Sequence, residues 1–177
     1  MLRAQVPPVA APSNSSMTIL APQDISTKII ANVLSVWQSH VGAHDVPSRD
    51  AVLPKPMKPF MRHISLLRYI AEEGDYESRF VGDAHVQAYG ASSPPGQRMS
   101  VVIAERPEFG NMLKSCYDMT RMRRVPLIIR GLIGSEFPDA RFVWVETVYL
   151  PLRGNGDDVE FVMNAAVYQP KDGAWPS

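Results

Sequence analysis

The chain has 177 residues, 45% of them apolar and 20% charged, with eighteen basic side chains balancing eighteen acidic ones. That balance excludes a global field that would draw the protein to nucleic acid or an anionic membrane. The length suits one domain able to bury roughly 70% of its unfolded surface.

Residues 1–21 are rich in Pro, Ala and Ser and are expected to form a flexible tail. Pro7, Pro8 and Pro12 interrupt any apolar stretch there. A secretory leader, which needs about 7–15 apolar residues in a row, is therefore not expected. No run in the chain approaches the roughly 18 residues that cross a bilayer. Cys116 is the single cysteine, which rules out an intramolecular disulfide and suits a reducing cytoplasm.

An amphipathic helix is expected over residues 22–42, with Asp24 as its N-cap and Gly42 as its stop. Its apolar stripe runs through Ile25, Ile29, Val33, Val36 and Trp37, widened by Ile30 and Leu34. Ile29, Val33 and Trp37 could form a surface for a partner or a second copy, or pack onto the chain's own sheet. The stripe alone leaves both open.

The expected domain spans residues 43–170, with a C-terminal tail over 171–177. Pro47, Pro54, Pro56 and Pro59 confine "HDVPSRDAVLPKPMKPFMRH" to turns and one helical turn near residues 56–62. "ISLLRYI" reads as a first strand and "YESRFV" as a second, with Tyr76, Ser78 and Phe80 on one face of it. Gly82 stops that strand, and "DAHVQAYG" is a short helix capped by Asp83 and closed by Gly90. "ASSPPGQRMS" reads as a loop. A longer helix starts at Pro107 and runs to about Arg124, with Phe109, Met112, Leu113, Cys116, Tyr117 and Thr120 facing the core. "PLIIRGLI", "RFVWVETVYLPL" and "DVEFVMNAAVY" follow as three strands, the last two joined by the turn "RGNGDD". A hairpin of two strands and a meander of three imply an α+β fold with an antiparallel sheet and helices on one face.

Four pieces in this order carry a resemblance: Trp37 followed by "VPSRD" (Pro47 to Asp50), "YESRFVG" with Arg79 and Gly82, the Tyr89–Gly90 close of the short helix, and "ETVYLPL" from Glu146 to Leu152. Together they resemble the standalone PAS-fold family common in alphaproteobacteria. The resemblance covers residues 30–168. After "AYG" the family's short turn gives way here to "ASSPPGQRMS". It implies a five-stranded sheet in the order 2-1-5-4-3 and a non-catalytic sensory or regulatory module. It also implies output through a partner such as a histidine kinase or another PAS-bearing protein.

A PAS-type cavity between sheet and helices would draw its walls from Leu66, Phe80, Val86, Tyr89, Met112, Leu113, Cys116, Trp144 and Met163. The competing reading is a filled core, and with it a ligand-free adaptor or dimerisation domain. Glu146 interrupts the apolar face shared by Phe142, Trp144, Val148, Leu150 and Leu152, and needs a partner. A salt bridge with Arg79 or Arg130 is favoured over a ligand contact.

No cofactor is required. His85 lies where haem-binding PAS domains place a histidine, but a packed histidine is the plainer reading. "KSCYDM" around Cys116 does not match the "N-C-R-F" type sequence of flavin-photoactive relatives, so Cys116 reads as a buried thiol. His40 and His44 are two residues where a metal site needs three or four, so no metal is expected. Arg121, Arg123 and Arg124 read as a solvated helix end at the carbonyl pole, and nucleic acid is not expected. The motifs of nucleotide-binding loops, serine hydrolases and zinc proteases are missing from the sequence. A small α+β isomerase or hydrolase using Glu146 or Asp83 as a base stands as a weaker alternative.

Overall fold

The computed structural model describes residues 17–90, 94–134, 137–171 and 173. Its centre is one antiparallel sheet of six strands: β1 (Thr18–Ile19), β2 (Ile64–Ile70), β3 (Asp75–Val81), β4 (Leu127–Gly131), β5 (Phe142–Arg153) and β6 (Val159–Pro170). The strands stand in the order β1-β4-β5-β6-β2-β3. The helices are α1 (Lys28–Ser39), α2 (Arg49–Val52), α3 (Asp83–Tyr89), α4 (Met99–Glu105) and α5 (Pro107–Arg123), with 3-10 turns at Pro22–Asp24 and Lys58–His63.

The two long strands β5 and β6 pair over almost their whole length, and β6 hands on to β2, so the sheet's middle is built from β-branched and aliphatic residues. Both sides of that middle are buried. Val148, Leu150, Leu152, Met163, Ala165 and Val167 pack against α1 through Ile30, Val33, Leu34 and Trp37. On the opposite side Val145, Tyr149, Val162 and Ala166 pack against Ala88 of α3, Met99 of α4 and Cys116 and Tyr117 of α5. Helices therefore cover both faces of the sheet, which corrects the expectation of one.

The N-terminal segment accounts for the difference. Thr18 and Ile19 pair with Arg130 and Ile129 at the edge of β4, so this part of the supposed tail belongs to the sheet. The rest of that tail, residues 1–16, lies outside the described residues, as does most of the C-terminal one. The N-cap of α1 is Thr27 rather than Asp24, and the helix stops at Ser39, before Gly42. Val33 and Trp37 are buried against the chain's own sheet, Ile29 packs beside them, and the Trp37 indole N–H donates to the Pro151 carbonyl at 2.9 Å. This buries the stripe that could have served a partner.

Three register shifts interrupt the strands, the third between Leu152 and Arg153 at the end of β5. Leu66 pairs with Phe80 but Leu67 pairs with Ser78, so Arg79 is the extra residue on β3. Tyr76 and Ser78 keep one face, while Phe80 turns to the α1 side. A second irregularity between Phe142 and Trp144 leaves Phe142 on the α3–α5 side and Glu146 on the other.

Between β3 and β4 the helices α3, α4 and α5 all lie on one face. Gly82 passes so close to the Met61–Arg62 backbone that a Cβ would lie 2.4 Å from the Arg62 carbonyl oxygen. Gly90 closes α3 with a left-handed φ of 65°. Met99 and Ser100, expected to end a loop, instead open α4, whose N-terminus is held by Asp75: its carboxylate accepts from the Ser100 N–H and hydroxyl, the latter at 2.7 Å.

Candidate functional site: a tyrosine-walled cavity on the α3–α5 face

A cavity of about 230 Å³ lies between the sheet and α3–α5. That exceeds the roughly 150 Å³ of an engineered apolar cavity able to hold benzene. Leu67, Val145, Tyr149 and Ala166 line it from the sheet, and Tyr89, Met99, Val102, Phe109, Leu113 and Tyr117 from the helices. Gln97, Arg98, Glu105 and Arg106 line its solvent side. Arg98 is fixed there by Glu77 at 2.9 Å and Glu73 at 3.1 Å, and the Arg106 guanidinium sits 4.2 Å from the centre of the Phe137 ring.

Rigid rings hold this space open. Tyr89 meets Phe142 and Tyr168 nearly edge-on, and Tyr117 meets Tyr149 in the same way, with centroids 5.2 to 5.7 Å apart. Burial pushes the pKa values of Tyr117, Tyr149 and Tyr168 upward, so these phenols stay neutral donors.

Polar groups cross the floor. Ser65 of β2 stands opposite Asn164 of β6, which stands opposite Tyr149 of β5. The Asn164 amide donates to the Thr147 hydroxyl, which donates to the Ala165 carbonyl at 3.0 Å. Ser78 also lines the cavity, is buried, and its hydroxyl has no hydrogen-bond partner among the described residues. A buried hydroxyl left unpaired is unfavourable, and a donor or acceptor in the cavity would relieve it.

His85 closes one end of the wall. Its Nε2 lies 2.8 Å from the His63 carbonyl, so that nitrogen donates, and Nδ1 accepts from the Tyr168 hydroxyl at 2.7 Å. Burial pulls its pKa down to about 4, against the partial support of the His63 carbonyl. The ring is neutral and both nitrogens are engaged within the protein, the geometry of a packed histidine. Cys116 packs beside the cavity, and burial pushes its thiol up to about 12, which keeps it protonated.

Of the wall residues picked from sequence, the structure brings Tyr89 and Leu113 to the cavity. Met112 and Cys116 pack in the same layer without lining it. Leu66, Phe80 and Met163 lie on the α1 side, and Val86 and Trp144 are half-buried residues outside the lining. Both sheet faces are apolar because both are covered, so alternation alone gives no sign of which parity faces which layer. Sequence reading missed Ser78, Tyr168 and Asn164. Asn164, a polar residue inside the apolar run "FVMNAAVY", was the available signal.

Glu146 lies away from the cavity and is 0% exposed. Its carboxylate accepts from the Ser26 N–H at 3.0 Å and from the Thr27 N–H and hydroxyl at 2.8 Å, at the N-terminus of α1. Arg130 completes the site with Nε at 3.1 Å and Nη2 closer still. Burial works to raise the Glu146 pKa, but Arg130 and the Ser26 and Thr27 donors outweigh it and hold the carboxyl below its usual value. The arginine favoured for this role is Arg130, while Arg79 pairs with Glu77.

Among the described residues no group of three His, Cys, Asp or Glu side chains could hold a metal ion, and no helix is long and apolar enough to cross a membrane. Comparison with known proteins finds no match: no family model, no curated protein and no solved structure.

Proposed function

We propose that this chain is a non-catalytic sensory module of the PAS type. It binds a small ligand between the sheet and α3–α5, and passes its occupancy to a signalling partner such as a histidine kinase. The observation that carries the reading is the cavity itself: aromatic walls, a polar floor and an unpaired Ser78 hydroxyl. Leaving β1 aside, the strands stand in the order β3-β2-β6-β5-β4 with the short helices between β3 and β4 laid over one face, and this arrangement supports the reading. β1 and α1 are additions to that plan. For signalling, ligand must bind two arrangements of the module with unequal affinity. Because the α1 stripe is buried, the partner would read the outer surfaces of the helices or the sheet edges.

Native mass spectrometry of the purified full chain tests the reading. An added mass that disappears in an Ala166→Leu variant, which fills the cavity floor, supports it. A bare chain mass, together with no ligand-induced rise in melting temperature across a library of small aromatic and aliphatic compounds, would favour a ligand-free adaptor.

A further inference from the structure

The words "VPSRD" and "YESRFVG" each contribute an arginine to a second cleft, of about 220 Å³. Arg49 enters it from the start of α2, Arg68 from β2, Arg79 from the β3 bulge and Arg153 from the end of β5. Phe161 forms part of the wall, with the Arg49 guanidinium 5.0 Å from its ring centre. Phe161 belongs to the α1-side core, and the cleft shares no lining residue with the tyrosine-walled cavity.

Four guanidinium groups face two lining carboxylates, Asp50 and Glu160, and outside the lining Glu77 pairs with Arg79 while the exposed Asp157 lies 3.7 Å from Arg153. Asp50 holds Arg49 and Glu160 holds the Nε of Arg68 at 2.7 Å, while Arg79 reaches outward to Glu77. These pairs are half-exposed, so water weakens them. The Nη1 and Nη2 groups of Arg68, and the Nη2 groups of Arg79 and Arg153, hydrogen-bond to no described residue.

We propose that this cleft binds a small phosphate-bearing anion. A phosphomonoester carries close to two negative charges at neutral pH, which the four guanidinium groups can meet by exchanging their solvent-weakened carboxylate pairs for its oxygens. Its tetrahedral oxygens accept forked pairs of N–H bonds from planar guanidinium groups, and the unused donors are of that kind. The concave shape and small volume suit a compact ligand, and the absence of a basic stripe on a neutral chain argues against nucleic acid.

Calorimetric titration of the full chain with inorganic pyrophosphate at low salt tests this. Saturable one-to-one binding is expected, and Arg68→Gln or Arg79→Gln should each weaken it about tenfold or more. Arg68→Lys should weaken it too, because charge remains but the fork is lost. Arg123→Gln, on the exposed end of α5, should leave binding unchanged. No saturation below about 1 mM would overturn the assignment. So would equal binding by both glutamine variants, or full affinity in Arg68→Lys with steep loss in added salt, the mark of diffuse attraction. Melting curves of each variant establish that the fold is intact, and the result stands or falls independently of any ligand in the tyrosine-walled cavity.

Discussion

The two faces of the sheet solve the burial problem differently. On the α1 side aliphatic residues and methionine predominate, with Ile30, Val33, Val52, Met57, Leu150, Leu152 and Met163 fully buried and Trp37 and Phe161 the buried aromatic residues of that cluster. Flexible, branched side chains of this kind interdigitate to crystal-like density. On the α3–α5 side, Tyr76, Tyr89, Tyr117, Tyr149, Tyr168, Phe109 and Phe142 dominate, and their rings prop one another apart around open space. The same sheet thus has one side committed to stability and one side with room for a guest. Glu146 belongs to the first: it fastens α1 to β5 by its helix end.

That contrast can be broken most forcefully by truncation. Leu150→Ala, on the filled side, should cost about 3–4 kcal/mol in urea denaturation, since no neighbour can move into the gap. Leu67→Ala, which only enlarges an existing space, should cost about half as much. Equal losses would mean that the α3–α5 side is as tightly packed as the other.

Glu146→Ala should cost about 3 kcal/mol, because Arg130 and the α1 N-terminus lose their acceptor together. Glu146→Gln should cost less, yet alter stability more than any ligand binding. A glutamine variant of unchanged stability that fails to bind an identified ligand would reassign Glu146 to the site.

Acid should act on the two faces in successive windows. His85 folds with a pKa near 4 against about 6.5 when unfolded, so the unfolded chain takes up its proton first. Its contribution is whole above pH 6.5 and falls away as pH drops towards 4, by on the order of 3 kcal/mol. His63, also lowered by burial, adds to the same window. Glu146, lowered from 4.5, supports the α1 side above about pH 4.5, and that support goes as pH falls through its folded value. In His85→Gln, stability measured between pH 6.5 and 4.5 should change less steeply than in the parent chain, and an unaltered slope would refute the assignment.

The smallest effect sharpens the comparison best. Ser78→Ala removes an unpaired buried hydroxyl and should stabilise the ligand-free chain by about 0.5–1 kcal/mol. A loss of similar size would show that the hydroxyl has found a partner.

Much of the fold was legible because the strands carry β-branched runs and clear punctuation. "ISLLRYI" is β2 residue for residue, and Pro107 opens α5 as its position implies. Gly82 was legible too as the end of β3, and the structure leaves no room for a side chain there. What could not be read was phase. Phe80 and Phe142 each lie beyond a bulge, and a one-residue slip sends a side chain to the opposite layer. α4 escaped notice because "MSVVIAE" is short and follows a proline–glycine loop. Thr18 and Ile19 escaped because their partner, β4, lies more than a hundred residues away.

The extra residue in β3 has a reach beyond its own strand. Regular alternation would aim Phe80 at the tyrosine-walled space and Val81 away from it. With Arg79 inserted, the small Val81 lines that space instead, and Arg79 itself joins the arginine cleft. Deleting Arg79 should leave Ser78 and Val81 facing as they do now, while stripping the cleft of one guanidinium. The codon for Arg79 therefore supplies the cleft with one of its four arginines without changing which side chains face the cavity.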